Sequence, residues 1–129
     1  MRFKKVKYEE LKKWFENCNI LIEKYKFDNS LTMEIEWALL QNYKKLCQFI
    51  TEYNQQVKNL VDKYGTLRPD GRKELDITSN VTMELYNKEL KELSKKQKTV
   101  GIETVNHKHF CGFQGATLET MSLLDFMIE

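Results

Sequence analysis

The sequence predicts an α+β fold that is mainly α: a long antiparallel helical hairpin with an N-terminal amphipathic helix and a small two-stranded β element. Three observations carry that expectation. One stretch of about thirty residues keeps a heptad of apolar positions; a second, shorter heptad face follows it across a turn; and two β-branched or alternating segments flank the helices.

The opening segment, Met1 to Lys7, alternates, burying Phe3 and Val6 while Arg2, Lys4, Lys5 and Lys7 stay wet, which reads as a short first strand or an extended entry. From Tyr8 to about Tyr25 the spacing changes. Leu11, Trp14, Phe15, Cys18, Leu21, Ile22 and Tyr25 recur at steps of three and four, with Glu9, Glu10, Lys12, Lys13 and Glu16 on the other face, so a first amphipathic helix is expected. Lys26-Phe27-Asp28-Asn29-Ser30 breaks it, and Ser30 or Thr32 suits the cap of the next helix.

The second helix carries the strongest pattern. Leu39, Tyr43, Leu46, Ile50, Tyr53, Val57, Leu60 and Tyr64 form a seam, and Leu40, Cys47, Asn54 and Val61 repeat beside it. A helix from Thr32 to Tyr64 would span roughly 50 Å at 1.5 Å per residue, longer than a compact domain needs, so it should project or pair along its length. Gly65 suits a left-handed cap, and Arg68-Pro69-Asp70-Gly71-Arg72 suits a turn. After Asp76 to Asn80, whose side chains suit an N-cap, Met83, Tyr86, Leu90, Leu93, Gln97 and Val100 step by three and four as the partner helix. The connector is long for a simple hairpin and therefore expected to be mobile or to contact a partner. Thr99 to Val105 has a period of two and reads as a strand able to pair with the first. His107 to Gly115 is a loop or its continuation, and Thr117 can cap a short helix carrying Leu118, Met121, Leu124 and Ile128. The expected organisation is one domain: 1–30 strand and first helix, 31–65 long helix, 66–80 connector, 81–98 third helix, and 99–129 strand, loop and short helix.

Composition excludes several classes. With 129 residues and one Pro, two independent cores would each be marginal. No run approaches eighteen apolar residues, so no membrane span is expected, and the basic N-terminus leads into charged residues rather than a signal-like apolar run. A cytoplasmic protein is the expectation. Cys18, Cys47 and Cys111 form no C-x-x-C pair, and the first two fall on apolar stripes as packing residues.

Sites of chemistry are sparse. His107, His109 and Cys111 at i, i+2, i+4 would share a strand face and are the weak metal candidates, but zinc wants a fourth ligand that is not visible nearby. Cys111 with a neighbouring histidine lacks a well-placed base, and the glycines match no phosphate-binding pattern. No catalytic residue, cofactor or metal is expected, and the chain is read as a non-enzyme. A net charge of +2 gives no obligatory nucleic-acid partner, although the N-terminal cations and Lys88, Lys91, Lys95, Lys96 and Lys98 would merge into one patch if the two strands lie side by side. Lysines near a helix C-terminus are also favoured by the helix dipole, the preferred explanation, so a nucleic-acid partner is not expected. Tyr43, Tyr53 and Tyr64 put polar tips into the seam, which suits either packing within the monomer or a partly wet edge covered by another protein. The partner-binding candidates are therefore Tyr43, Tyr53, Tyr64, Lys88, Lys91, Lys95, Lys96, His107 and His109, with a second copy of the chain as one partner.

Leu60-Val61-Asp62-Lys63-Tyr64-Gly65, the Asp70-Gly71 turn and Tyr86-Asn87-Lys88-Glu89-Leu90-Lys91-Glu92-Leu93, in this order of elements, resemble a family of small phage and prophage proteins of low-GC Gram-positive bacteria, domain of unknown function 1617. The similarity covers nearly the whole chain except His107 to Gly115. It implies a phage product acting inside a bacterial host by binding, with a host antiviral factor as the leading partner. A virion or morphogenesis accessory is the alternative, and a small-molecule or nucleic-acid binder is the third.

Overall fold

A computed structural model describes residues 1–26, 31–110 and 117–129. β1 (Arg2–Lys7) leads directly into α1 (Tyr8–Lys24); α2 (Met33–Tyr64) is followed by the short strands β2 (Thr66–Leu67) and β3 (Lys73–Glu74), then α3 (Asn80–Lys95), β4 (Gln97–Ile102) and α4 (Leu118–Leu124). The expected mainly α architecture with a small sheet is present, and β1 pairs antiparallel with β4 from Arg2↔Ile102 to Lys7↔Gln97. Among the described residues no helix is long and apolar enough to cross a membrane.

The helices begin where capping chemistry places them. Thr32 Oγ1 accepts from the Ile35 amide at 3.4 Å, Ser79 Oγ from Thr82 at 3.4 Å, and Thr117 Oγ1 from Thr120 at 3.2 Å, each satisfying a donor that has no partner inside its helix. Ser30, the other expected cap, lies outside the described residues.

The length of α2 is explained by two different partners. Its first half packs antiparallel on α1, where Phe15 and Tyr43 stack with centroids 5.4 Å apart, and its second half packs antiparallel on α3, where Lys63 meets Glu89 at 2.9 Å. The core is confined to the first arrangement. Leu11, Cys18, Leu21, Ile35, Leu39, Leu46, Val100, Val105, Leu124 and Met127 are buried with Tyr8, whereas no residue from 47 to 99 is. The hairpin of α2 and α3 is therefore an arm with half-exposed contacts, projecting from a body made by α1, the first half of α2, the β1–β4 ribbon and the C-terminal segment. Of the expected second stripe, Leu40 and Asn54 are exposed.

Several expectations are corrected. The third helix ends at Lys95 rather than Lys98, because the Lys96 carbonyl is taken by the Tyr8 amide at 3.1 Å and the chain continues as a strand. Gln97 and Val100 thus belong to β4, not to a helical seam. That strand stops at Ile102; Val105 instead makes a parallel bridge with Ile128, fastening the chain's end to the body. Phe3 is 71% exposed, since it lies on the opposite ribbon face from buried Val6. Gly65 has an extended backbone, φ −78 and ψ 155, and is not a left-handed cap; a Cβ there would run into the Val61 carbonyl oxygen. The positive φ belongs to Gly71 at 86°, in a turn closed by Arg68 N donating to Arg72 O at 2.7 Å. The connector is thus a small β2–β3 hairpin. Leu118, expected on an apolar stripe, is exposed.

Candidate functional site

The arm is bound to the body by a charged and aromatic joint. Tyr8, fully buried at the start of α1, sits 5.4 Å from the Tyr53 ring, and the Tyr53 hydroxyl lies 3.2 Å from Ser94 Oγ on α3. Lys98 bonds Glu52 at 3.0 Å and stands 5.8 Å over the Tyr8 ring. The Lys98 ammonium, then the Tyr8 hydroxyl, hold the Glu52 carboxyl below its ordinary range, while burial and then Glu52 push the Tyr8 phenol up. Glu52 in turn raises Lys98.

Beyond this joint, an open groove of about 710 Å³ runs between α2 and α3. Leu60 and Leu93 supply its apolar floor, and Gln56, Asn59, Glu89, Glu92, Lys95 and Lys96 its polar rim. The helical spacing explains the arrangement: Glu89, Leu93 and Lys96 follow one another at steps of four and three along α3 and into its end. Lys63, bonded to Glu89, also stands 5.1 Å over the Tyr64 ring and closes the outer end of the helix pair.

The partner-binding candidates are thereby separated. Lys95 and Lys96 line the groove, and Tyr64 lies at its far end, whereas Lys88 and Lys91 are exposed on α3. Tyr43 and Tyr53 are half-buried packing residues, Tyr43 against Phe15 and Tyr53 against Tyr8. His107 and His109 stand apart from the arm. They lie in a 3-10 turn, His107–Phe110, where Asn106 O accepts from the His109 amide at 3.0 Å, so the expected shared strand face does not form. His109 lines a separate cleft with Met33, Trp37, Asn106 and Glu129. Cys111 falls outside the described residues, and among the described residues no three His, Cys, Asp or Glu side chains are grouped to hold a metal ion.

No family model, curated protein or solved structure matches the chain. The site is accordingly defined by its own geometry.

A second cleft, about 810 Å³, lies between β1, α1 and the C-terminal segment. Arg2, Lys4 and Lys13 face it together with Glu10 and Asp125, and its wall is Trp14 stacked on Phe126 at 5.2 Å. Lys4 lies 5.9 Å over the Trp14 ring. Its three cations against two carboxylates leave mixed signs on one wall, so it offers less selectivity for one ligand sign than the ribbon face, which has no acidic residue.

Two structural residues escaped the sequence reading. Asn42 and Thr120 are the fully buried polar side chains of the described residues. Thr120 Oγ1 accepts from Lys24 Nζ at 2.9 Å and lies 3.2 Å from the Tyr25 hydroxyl, tying α4 to the end of α1. A polar residue falling among apolar helical positions is the signal that could have found Asn42; Thr120 carries no such mark.

Proposed function

We propose that the chain is a non-enzymatic protein-binding module, and that the groove between α2 and α3 receives an amphipathic helix of its partner. The observation that carries this reading is the arm itself: the second half of α2 and α3, which extend from the body with no fully buried residue, and an apolar floor open between charged rims. Two helices leave a groove that a third completes, and helix-in-groove recognition needs an apolar stripe with polar edges rather than catalytic groups. Glu89 and Glu92 against Lys95 and Lys96 give the rim opposite signs along its length, which orients a helix laid in it. The resemblance to small phage proteins supplies the proposed setting, a host factor of antiviral defence that the module binds and inhibits.

The test is recovery of the tagged full chain from infected-cell lysate and, in parallel, from purified phage particles. A single host protein enriched from lysate, lost with Glu92→Lys/Lys95→Glu and retained with Val81→Asp, is the expected result. Val81 is exposed on α3 and does not line the groove, so it controls for general surface effects. Fixed-stoichiometry recovery from particles would replace this reading with the virion accessory, and loss of capture by Val81→Asp alone would move the interface off the groove.

A further inference from the structure

The small net charge conceals a segregation. Residues 1–13 and 88–98 hold eleven Lys or Arg against four Asp or Glu, while all other residues hold ten against fifteen. Pairing of β1 with β4 brings the two basic segments together. Strand alternation then divides the ribbon into two faces. Val6, Val100 and Ile102 turn inward to the core, and Lys98 on that side is neutralised by Glu52. The outward face carries the cross-strand pairs Phe3↔Gly101, Lys5↔Thr99 and Lys7↔Gln97, with no acidic residue among them. Lys5 and Lys7 make no ion pair among the described residues. Gly101 keeps the face low: a Cβ there would stand 2.9 Å from the Phe3 ring and 2.7 Å from Met1 Sδ.

We propose that this outward ribbon face is a duplex-DNA-binding surface that lies in the major groove. Two strands about 4.8 Å apart fit a groove about 12 Å wide, which admits a two-stranded ribbon. The side chains it would present are of the types that read base edges there: lysines for guanine acceptors, the Gln97 amide for adenine, and the Thr99 hydroxyl and methyl for either hydrogen bonding or a thymine methyl. Charge complementarity selects the occupant, because a face whose charges are Lys5 and Lys7, with no acidic residue, favours a polyanion. The alternative role of such lysines, guarding the open edge of β1 against pairing with other chains, predicts no DNA binding.

The test is fluorescence anisotropy of a labelled 20-base-pair duplex of mixed sequence with the full-length chain, repeated with the corresponding single strand. With Lys5 and Lys7 neutralising about two phosphates, affinity should fall on the order of tenfold between 50 and 200 mM salt. Lys5→Ala/Lys7→Ala should weaken binding at least about tenfold with an unchanged circular dichroism spectrum, since both side chains project from the outer face. Lys44→Ala/Lys58→Ala, at exposed positions on α2, should leave it unchanged within about twofold. Gln97→Ala provides a second probe on the partner strand and should alter preference among duplex sequences without altering the salt slope. Absence of binding at 50 mM salt, equal loss in the two lysine pairs, or a single strand bound as tightly as the duplex would each overturn the proposal.

Discussion

The side-chain amide of Asn42 closes two hydrogen bonds on the backbone of Glu103: its Nδ2 donates to the Glu103 carbonyl at 2.9 Å, and its Oδ1 accepts from the Glu103 amide at 2.7 Å. This joins the first third of α2 to the residue that leaves β4. One turn further on, Lys45 Nζ donates to the Gly101 carbonyl at 3.0 Å and meets Glu103 Oε1 at 3.4 Å, so α2 covers the C-terminal end of the β4 edge. That end of the edge is therefore closed to pairing with other chains.

Asn42→Leu should destabilise the fold by about 2–4 kcal/mol, because it strands two backbone groups of Glu103 away from water and does not replace their partners. Chemical denaturation of the two proteins checks this; equal midpoints would mean that water satisfies those groups. Lys45→Ala should cost less, since its ammonium is partly exposed and its pair with Glu103 is screened.

The pH dependence should show the Glu52, Lys98 and Tyr8 joint on both sides of neutrality. The Glu52 carboxyl is held below its ordinary 4.5, so its contribution is present above that value and is lost as pH falls through the lower folded value. Lys98, raised from 10.5 chiefly by Glu52, and Tyr8, raised from 10.0 chiefly by burial, contribute below those values and lose their contribution as pH rises through the folded ones. Glu52→Gln should flatten the acid limb of a melting-temperature profile. An acid limb identical to that of the parent chain would show that other carboxylates carry it.

Local spacing made the helices and their caps legible, while the choice of partners was not. The heptad from Leu39 to Tyr64 states that one face needs cover, and nothing in that periodicity distinguishes α1 from α3 as the cover. The structure divides the face between them. Phe3 and Val6 illustrate a different limit: they have opposite parity along a strand, so a ribbon covered on one side buries only one of them, and the buried set of β4 decides which. Lys95 and Lys96 could be singled out by charge, but their meeting with Leu60 depends on how two helices cross. Asn42 and Glu103 are 61 residues apart, a separation at which neither residue constrains the other in sequence.

Cys18 should be inert in the native protein. It is fully buried between helices, and desolvation pushes its thiol up to about 12, leaving almost no thiolate at neutral pH. A brief maleimide pulse at pH 7.5 followed by peptide mapping should label the half-buried Cys47 before Cys18, and strong denaturant should remove the difference. Rapid native labelling of Cys18 would mean that α1 opens far more often than its packing implies.

The arm should open more readily than the body. Local opening costs scale with the apolar surface an element buries, and no residue between 47 and 99 is fully buried while Leu46 is. Leu46→Ala should accordingly cost about 2–5 kcal/mol of global stability, as for other fully buried leucines, whereas Leu90→Ala, at a half-buried position, should cost about 1 kcal/mol. Amide exchange discriminates further than the two midpoints. Amides of α3 and the second half of α2 should exchange through a shared, low-energy opening, while those around Ile35 to Leu46 should exchange only through global unfolding. Equal protection across α2 would show that its heptad is held as one unit, and the arm would then be rigid before any partner arrives. Unequal protection would mean that any ligand of the groove must first order it, at a cost to affinity.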